Sequence, residues 1–302
     1  MLIVADTHVH VYRGYDVAAA LCHGIRNLTG LARRCGEESE TLLALFLAEA
    51  EGCHFFDDLR QGRLAEQLPG WSVEAAGEDC AVWVGAPAAD APDTPDAPGT
   101  SDAADRGAPG SARLLLVAGR QLVTEERLEV LALATDAEMS RALDLEGAIA
   151  AVHEAGGVPV LSWAPGKWSF QRGERVASVI EERSPEQLLI GDSSLRARAA
   201  EPELMRRARQ RGFKVIAGSD PLPIGGEERI LGSYGTAWHG EVEIDRPLSS
   251  LQPMLLDPAV PAAVVGDRST ALGVVSRLGR HTLAKKMRAK KLGASKRGGP
   301  NG

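Results

Sequence analysis

Apolar positions in this chain fall into short runs separated by longer amphipathic stretches. Leu2 to Ala5 form the first run, the size of a buried strand. Val17 to Arg34 is rich in Ala and Leu, follows Asp16, carries basic residues at its end and stops at Gly36, which predicts a capped helix. Glu38 to Leu59 predicts a second helix, with Leu42, Leu43, Leu45, Phe46 and Leu47 giving it an apolar side and Gly52 a point of division. Trp71 to Val84 holds two short strand-like pieces. Further strands are expected over residues 114–118, 128–134, 158–161, 188–190 and 213–217, and helices over 145–155, 173–184 and 203–210. Strands alternating with helices are the pattern of a parallel sheet or a (β/α) barrel.

One stretch breaks the pattern. Residues 86–112 are almost all Ala, Pro, Asp, Gly, Ser and Thr, with no Leu, Ile, Val or aromatic residue. Such a segment cannot bury enough apolar surface to offset its ordering entropy, so it is read as a disordered surface insertion within one domain. The domain is placed at residues 1–240, followed by an extension at 241–279 with a helix-like segment from Thr270, and a basic tail at 280–302. Apolar residues make up 44% of the 302 residues but aromatics only 4%, so the core is mainly aliphatic. The net charge of −7 argues against general nucleic-acid affinity. It is unevenly spread: the tail has eight Lys or Arg and no acid, and the rest carries −15 (26 basic against 41 acidic). The tail is read as a solvated end or a contact for an acidic partner, RNA or an anionic membrane surface. Cys22, Cys35, Cys53 and Cys80 show no paired spacing, which suits a reduced, cytoplasmic setting rather than a structural zinc site. No apolar stretch reaches the length of a membrane span, and no secretion signal is expected at the N-terminus.

The chemistry-bearing residues gather at the ends of the expected strands. Asp6, His8 and His10 follow the first one directly. Residues two apart on an extended segment point the same way, so both imidazoles can meet one metal ion. Gln121, Trp163, Asp192 and Asp220 occupy other strand ends, where α/β folds collect their chemistry. Asp220 follows small Gly218 and Ser219, which allow close approach. The glycine-rich stretch 225–236 is expected to loop over the site, with Arg229 and Tyr234 on an anionic substrate, and Lys167 to line the pocket beside Trp163 and Trp168.

These residues resemble the polymerase and histidinol phosphatase (PHP) superfamily. The resemblance rests on Asp6-Thr-His8-Val-His10, Gly119-Arg-Gln-Leu-Val-Thr124, Leu128-Glu-Val-Leu-Ala-Leu133, Gly156-Gly-Val-Pro-Val-Leu161 with Ala164-Pro-Gly166, and Val215-Ile-Ala-Gly-Ser-Asp220, in that order over residues 1–225. It implies a distorted (β/α)7 barrel and a metal-dependent hydrolase, typically a phosphoesterase with up to three divalent ions. This chain departs from the family at several ligands. Gln121 stands where the family has Glu, Trp163 or Ala164 where it has His, and Leu222 where it has the final His. The family's early Thr-Asp-His segment is missing; His54, Asp57 or Asp58 could substitute, though no motif in the sequence marks them. The expected site is therefore reduced to one divalent ion (Zn, Mn or Fe) on His8, His10 and Asp220, with Gln121 as a weaker neutral donor. Asp6 or Asp192 would orient the attacking water. A degenerate, non-catalytic relative with a binding or regulatory role is the alternative, and an amidohydrolase-type C–N hydrolase a third reading.

Overall fold

The computed structural model describes residues 1–36, 40–87, 113–139, 142–198 and 201–297, with side chains up to residue 287. The expected insertion at 86–112 lies, beyond Pro87, outside the described residues. Among the described residues, twelve strands form two mixed sheets. The seven-stranded sheet contains β1 (Leu2–Val9), β2 (Thr41–Leu47), β3 (Ser72–Ala75), β4 (Ala81–Gly85), β5 (Arg113–Val117), β11 (Tyr234–His239) and β12 (Ala262–Gly266), in the order β12-β11-β1-β2-β5-β4-β3. The five-stranded sheet contains β6 (Gly119–Val123), β7 (Glu129–Leu133), β8 (Val158–Ser162), β9 (Leu189–Ser193) and β10 (Val215–Gly218), in the order β10-β9-β8-β7-β6.

The expected (β/α)7 barrel is not formed. A barrel of that kind needs parallel strands with a helix after each. Among the strands of the described residues only β1–β2, β2–β5, β8–β9 and β9–β10 pair in parallel. The β3–β4–β5 and β6–β7–β8 runs and the β1–β11–β12 edge are antiparallel. The sheets instead lie face to face. Ile3, Ala5, Phe46, Leu115 and Val117 of one meet Leu131, Val160, Leu189 and Ile216 of the other. Helices cover the outer faces. On the seven-stranded sheet these are α1 (Val17–Arg34) and α2 (Phe55–Arg60). On the five-stranded sheet they are α3 (Leu145–Glu154), α4 (Gln171–Glu182) and α5 (Glu203–Gln210). Asp16 caps α1 by accepting from the Ala19 amide at 3.0 Å, as its position in the sequence suggests. The segment after residue 240 builds onto the same body: α6 (Pro247–Leu256) sends Leu248, Leu251 and Leu255 into the inter-sheet core, β12 extends the sheet, and α7 (Ala271–Arg297) follows.

The second expected helix is also corrected. Thr41-Leu-Leu-Ala-Leu-Phe-Leu47 is the strand β2, buried on both faces between β1 and β5. Such a strand shows no polar–apolar alternation, and its continuous apolar run looks the same as one side of a helix. Helix only begins at Phe55.

Candidate metal centre

The site forms where the two sheets meet. On one side of the seam the Asp220 amide donates to the His8 carbonyl at 2.9 Å. On the other, Glu49 forms an isolated bridge to Arg120, the Gln121 amide donating to the Glu49 carbonyl at 2.9 Å. β1 and β10 approach so closely that a Cβ on Gly218 would overlap the His8 backbone nitrogen and Cβ, which explains the glycine there.

A β-bulge aims the histidines. Asp6 pairs with Leu45 and Val9 with Leu47, so β1 spends one more residue than β2 over this span. Val4 and Val9 both belong to the core beneath α1, although strict alternation would put them on opposite faces. The extra residue turns His8, and with it His10, toward the five-stranded sheet. Gln121 from β6 and Asp220, just past β10, meet them there.

Four atoms able to ligate a metal converge. His8 Nε2 lies 3.1 Å from both His10 Nε2 and Gln121 Oε1. Asp220 Oδ1 is 3.7 Å from His8 Nε2 and 3.9 Å from His10 Nε2. Donors at the corners of a tetrahedron around a zinc-sized ion stand about 3.3–3.4 Å apart, given bond lengths of about 2.0–2.1 Å. The observed separations bracket that value. One proton on His8 Nε2 cannot serve three acceptors well, whereas a cation can. The buried group His8, His10 and Asp220 could therefore hold a metal ion.

Electrostatics favour the ligating forms. Burial, with the charge of His8, pushes the His10 imidazolium down to about 4 against the pull of Asp220, so its ring is neutral at pH 7. Burial raises the Asp220 carboxyl, but His8, His10, the Ser193 hydroxyl and Arg277 outweigh it and hold it below its ordinary value. Supporting groups orient the donors. Ser193 Oγ donates to Asp220 Oδ2 at 2.8 Å, and Ser162 Oγ lies 3.4 Å from His8 Nδ1. Tyr12 stacks on the His10 ring with centroids 5.4 Å apart. Asp220 itself has a left-handed φ of +47°, a conformation that Asp tolerates better than most residues.

Ser193, Ser162 and Tyr12 escape sequence reading, since hydroxyls at strand ends carry no ligand pattern. Removing the Ser193 hydroxyl frees one Asp220 oxygen to rotate. Ser193→Ala should weaken metal binding about tenfold, as loss of such supporting bonds does. Titration against a chromophoric chelator checks this, and unchanged affinity would show that Asp220 is held by other contacts.

Other expected site residues lie elsewhere. Asp6 is fully buried, with Oδ1 accepting from the His8 and Ser219 amides and Oδ2 from Gly232. Burial, opposed by those bonds, lifts its carboxyl to about 6. It ties β1 to two loops rather than orienting water. Asp192 is adjacent to Ser193 on β9 and so faces the opposite way, where Arg196 donates to its two oxygens at 2.6 and 2.5 Å and the Tyr234 hydroxyl at 2.6 Å. Tyr234 is a buried residue of β11, not of a loop over the site. Arg229 is exposed, its carbonyl accepting from the Asn27 amide group. Lys167 pairs with Glu129 at 2.9 Å. Asp57 and Asp58 pair with Arg60 and Arg63. Trp163 packs against the helix-side core. His54 lines a cleft of about 520 Å³ that also reaches Gln121, Glu49, Leu122, Met139 and Leu143. Gln121 is thus the donor shared by the metal group and the cleft.

No family model matches the chain, and no curated protein matches it. Among solved structures, it is similar to the crystal structure of PsfC from Pseudomonas syringae PB-5123, at 17% identity and a TM-score of 0.48, over 96% of this chain and 99% of that one.

Proposed function

We propose that this protein is a hydrolase working through one divalent ion held by His8, His10 and Asp220, with Gln121 facing the cleft. The observation that carries this reading is the convergence of four nitrogen and oxygen atoms from both sheets, His8 Nε2 lying 3.1 to 3.7 Å from the other three. When bound, the ion supplies Lewis acidity, making a water acidic enough to attack at neutral pH and polarising the substrate oxygen. The chain's own residues do the rest. His10 is kept neutral by burial, Ser193 fixes the Asp220 carboxylate, and Ser162 bonds the remaining nitrogen of His8. Gln121, a neutral and weaker donor, can yield its place to a substrate entering from the cleft. The motif resemblance makes phosphoesters on small anionic molecules the first substrate class to assay.

The test is elemental analysis of protein purified without chelator, beside a His8→Ala/His10→Ala double variant. About one equivalent of Zn, Mn or Fe in the wild type and none in the variant is expected, followed by turnover in a phosphatase and esterase screen. Metal in neither protein, with both equally stable, would sink the reading. Metal without turnover favours a binding or regulatory role.

A further inference from the structure

Helix α7 has two apolar faces, and the body covers only one of them. Val274, Leu278 and Ala284 lie toward the body, the last two against Leu195, Leu222 and Ile224. Arg277 reinforces that side by donating to Glu227 and to the Asp220 carbonyl. Leu272, Val275, Leu283 and Met287 lie on the other side and are between 61% and 79% exposed. At the helical repeat these four, with Gly279 between them, form one stripe along the outside of the helix. They are half of the large apolar side chains exposed among the described residues.

Charge decides what covers the stripe. No Asp or Glu occurs after Asp267, and eight Lys or Arg lie between Arg280 and Gly302. Two copies of such a helix repel one another. The stripe is also interrupted by Ser276 and Gly279, so it lacks the regular knobs that a helical partner requires. A fluid anionic surface needs no matching knobs and is attracted by the same charges. The rest of the chain, at −15, is repelled from that surface, so the helix edge would face it.

We propose that the outer stripe of α7 and the basic residues of the same helix from Arg280 on dock this protein on anionic lipid bilayers, with the helix lying in the interface. No helix among the described residues is long and apolar enough to cross a membrane. The inference is independent of the hydrolase reading.

The test is flotation of the full-length protein with vesicles of phosphatidylcholine alone and of phosphatidylcholine with phosphatidylserine, at physiological ionic strength. Binding to the anionic vesicles only is expected. Val275→Glu/Leu283→Glu should lower it more than about tenfold, and Lys285→Glu/Lys286→Glu should also weaken it. Val275, Leu283, Lys285 and Lys286 are all exposed, so unchanged thermal melting confirms that the variants fold. No binding to anionic vesicles overturns the proposal. So does equal binding by the Val275→Glu/Leu283→Glu variant, which would leave charge alone as the cause. Equally strong binding to soluble polyglutamate would point to an acidic protein partner instead. A wild-type dimer that this variant converts to monomer would show that a second copy covers the stripe.

Discussion

Asp220→Asn is expected to lower affinity for a divalent cation more than about 100-fold, since loss of a direct ligand should exceed the 10–100-fold cost of losing a supporting bond. The substitution is close to isosteric. Asn tolerates the left-handed backbone at φ +47° and can still accept from Ser193. What it removes is the carboxylate charge at the seam. A cation there would then be held only by two neutral imidazoles and a neutral amide, with little to offset its dehydration. Competition against a chromophoric chelator measures the effect, and metal-free melting of both proteins separates it from misfolding. Wild-type affinity in the variant would mean that the ion, if bound, sits elsewhere.

Asp192→Ala should be damaging in a different way. It leaves the Arg196 guanidinium, 4% exposed, without its bidentate partner and takes the acceptor from the buried Tyr234 hydroxyl. Breaking a buried pair from one side costs about 3–5 kcal/mol. For a chain of this size that lowers Tm on the order of 5–10 °C. Metal stoichiometry should not change, because Asp192 faces away from His8 and His10. A stable Asp192→Ala protein that fails to turn over substrate would restore the catalytic role first expected of this residue.

The contrast between Asp192 and Ser193 shows where sequence reading stops. Both lie on a strand buried on both faces, so neither alternation nor burial tells which one points at the seam. A carboxylate attracts attention as a catalytic group, yet the hydroxyl beside it is the group that touches Asp220. The first motif was more legible. His8 and His10 are two residues apart on an extended segment, and the structure brings them together with Asp220 and Gln121. That Asp6 would part from them was not legible, because the bulge at residues 7–8 has no glycine or proline to mark it. Most strands and helices can be read from apolar runs and breakers, but β2 reads as helix for want of a period. The barrel expectation failed at a higher level. Alternating elements suggest parallel pairing, but strand direction is set by connections such as β6–β7, whose short link after Val123 turns the chain straight back.

The four donors also belong to different layers. His8 stands on the seven-stranded sheet and His10 just past its strand β1, Gln121 and Asp220 with the five-stranded one. Among the described residues no continuous ladder joins those sheets at the seam. A cation bound there would be a cross-link between segments more than two hundred positions apart in the chain. Its binding free energy would then count toward folding, about 2.7 kcal/mol at a hundred times its dissociation constant. The surroundings would set the protein's persistence through the free concentration of the ion, and a chelator would act on it as a denaturant.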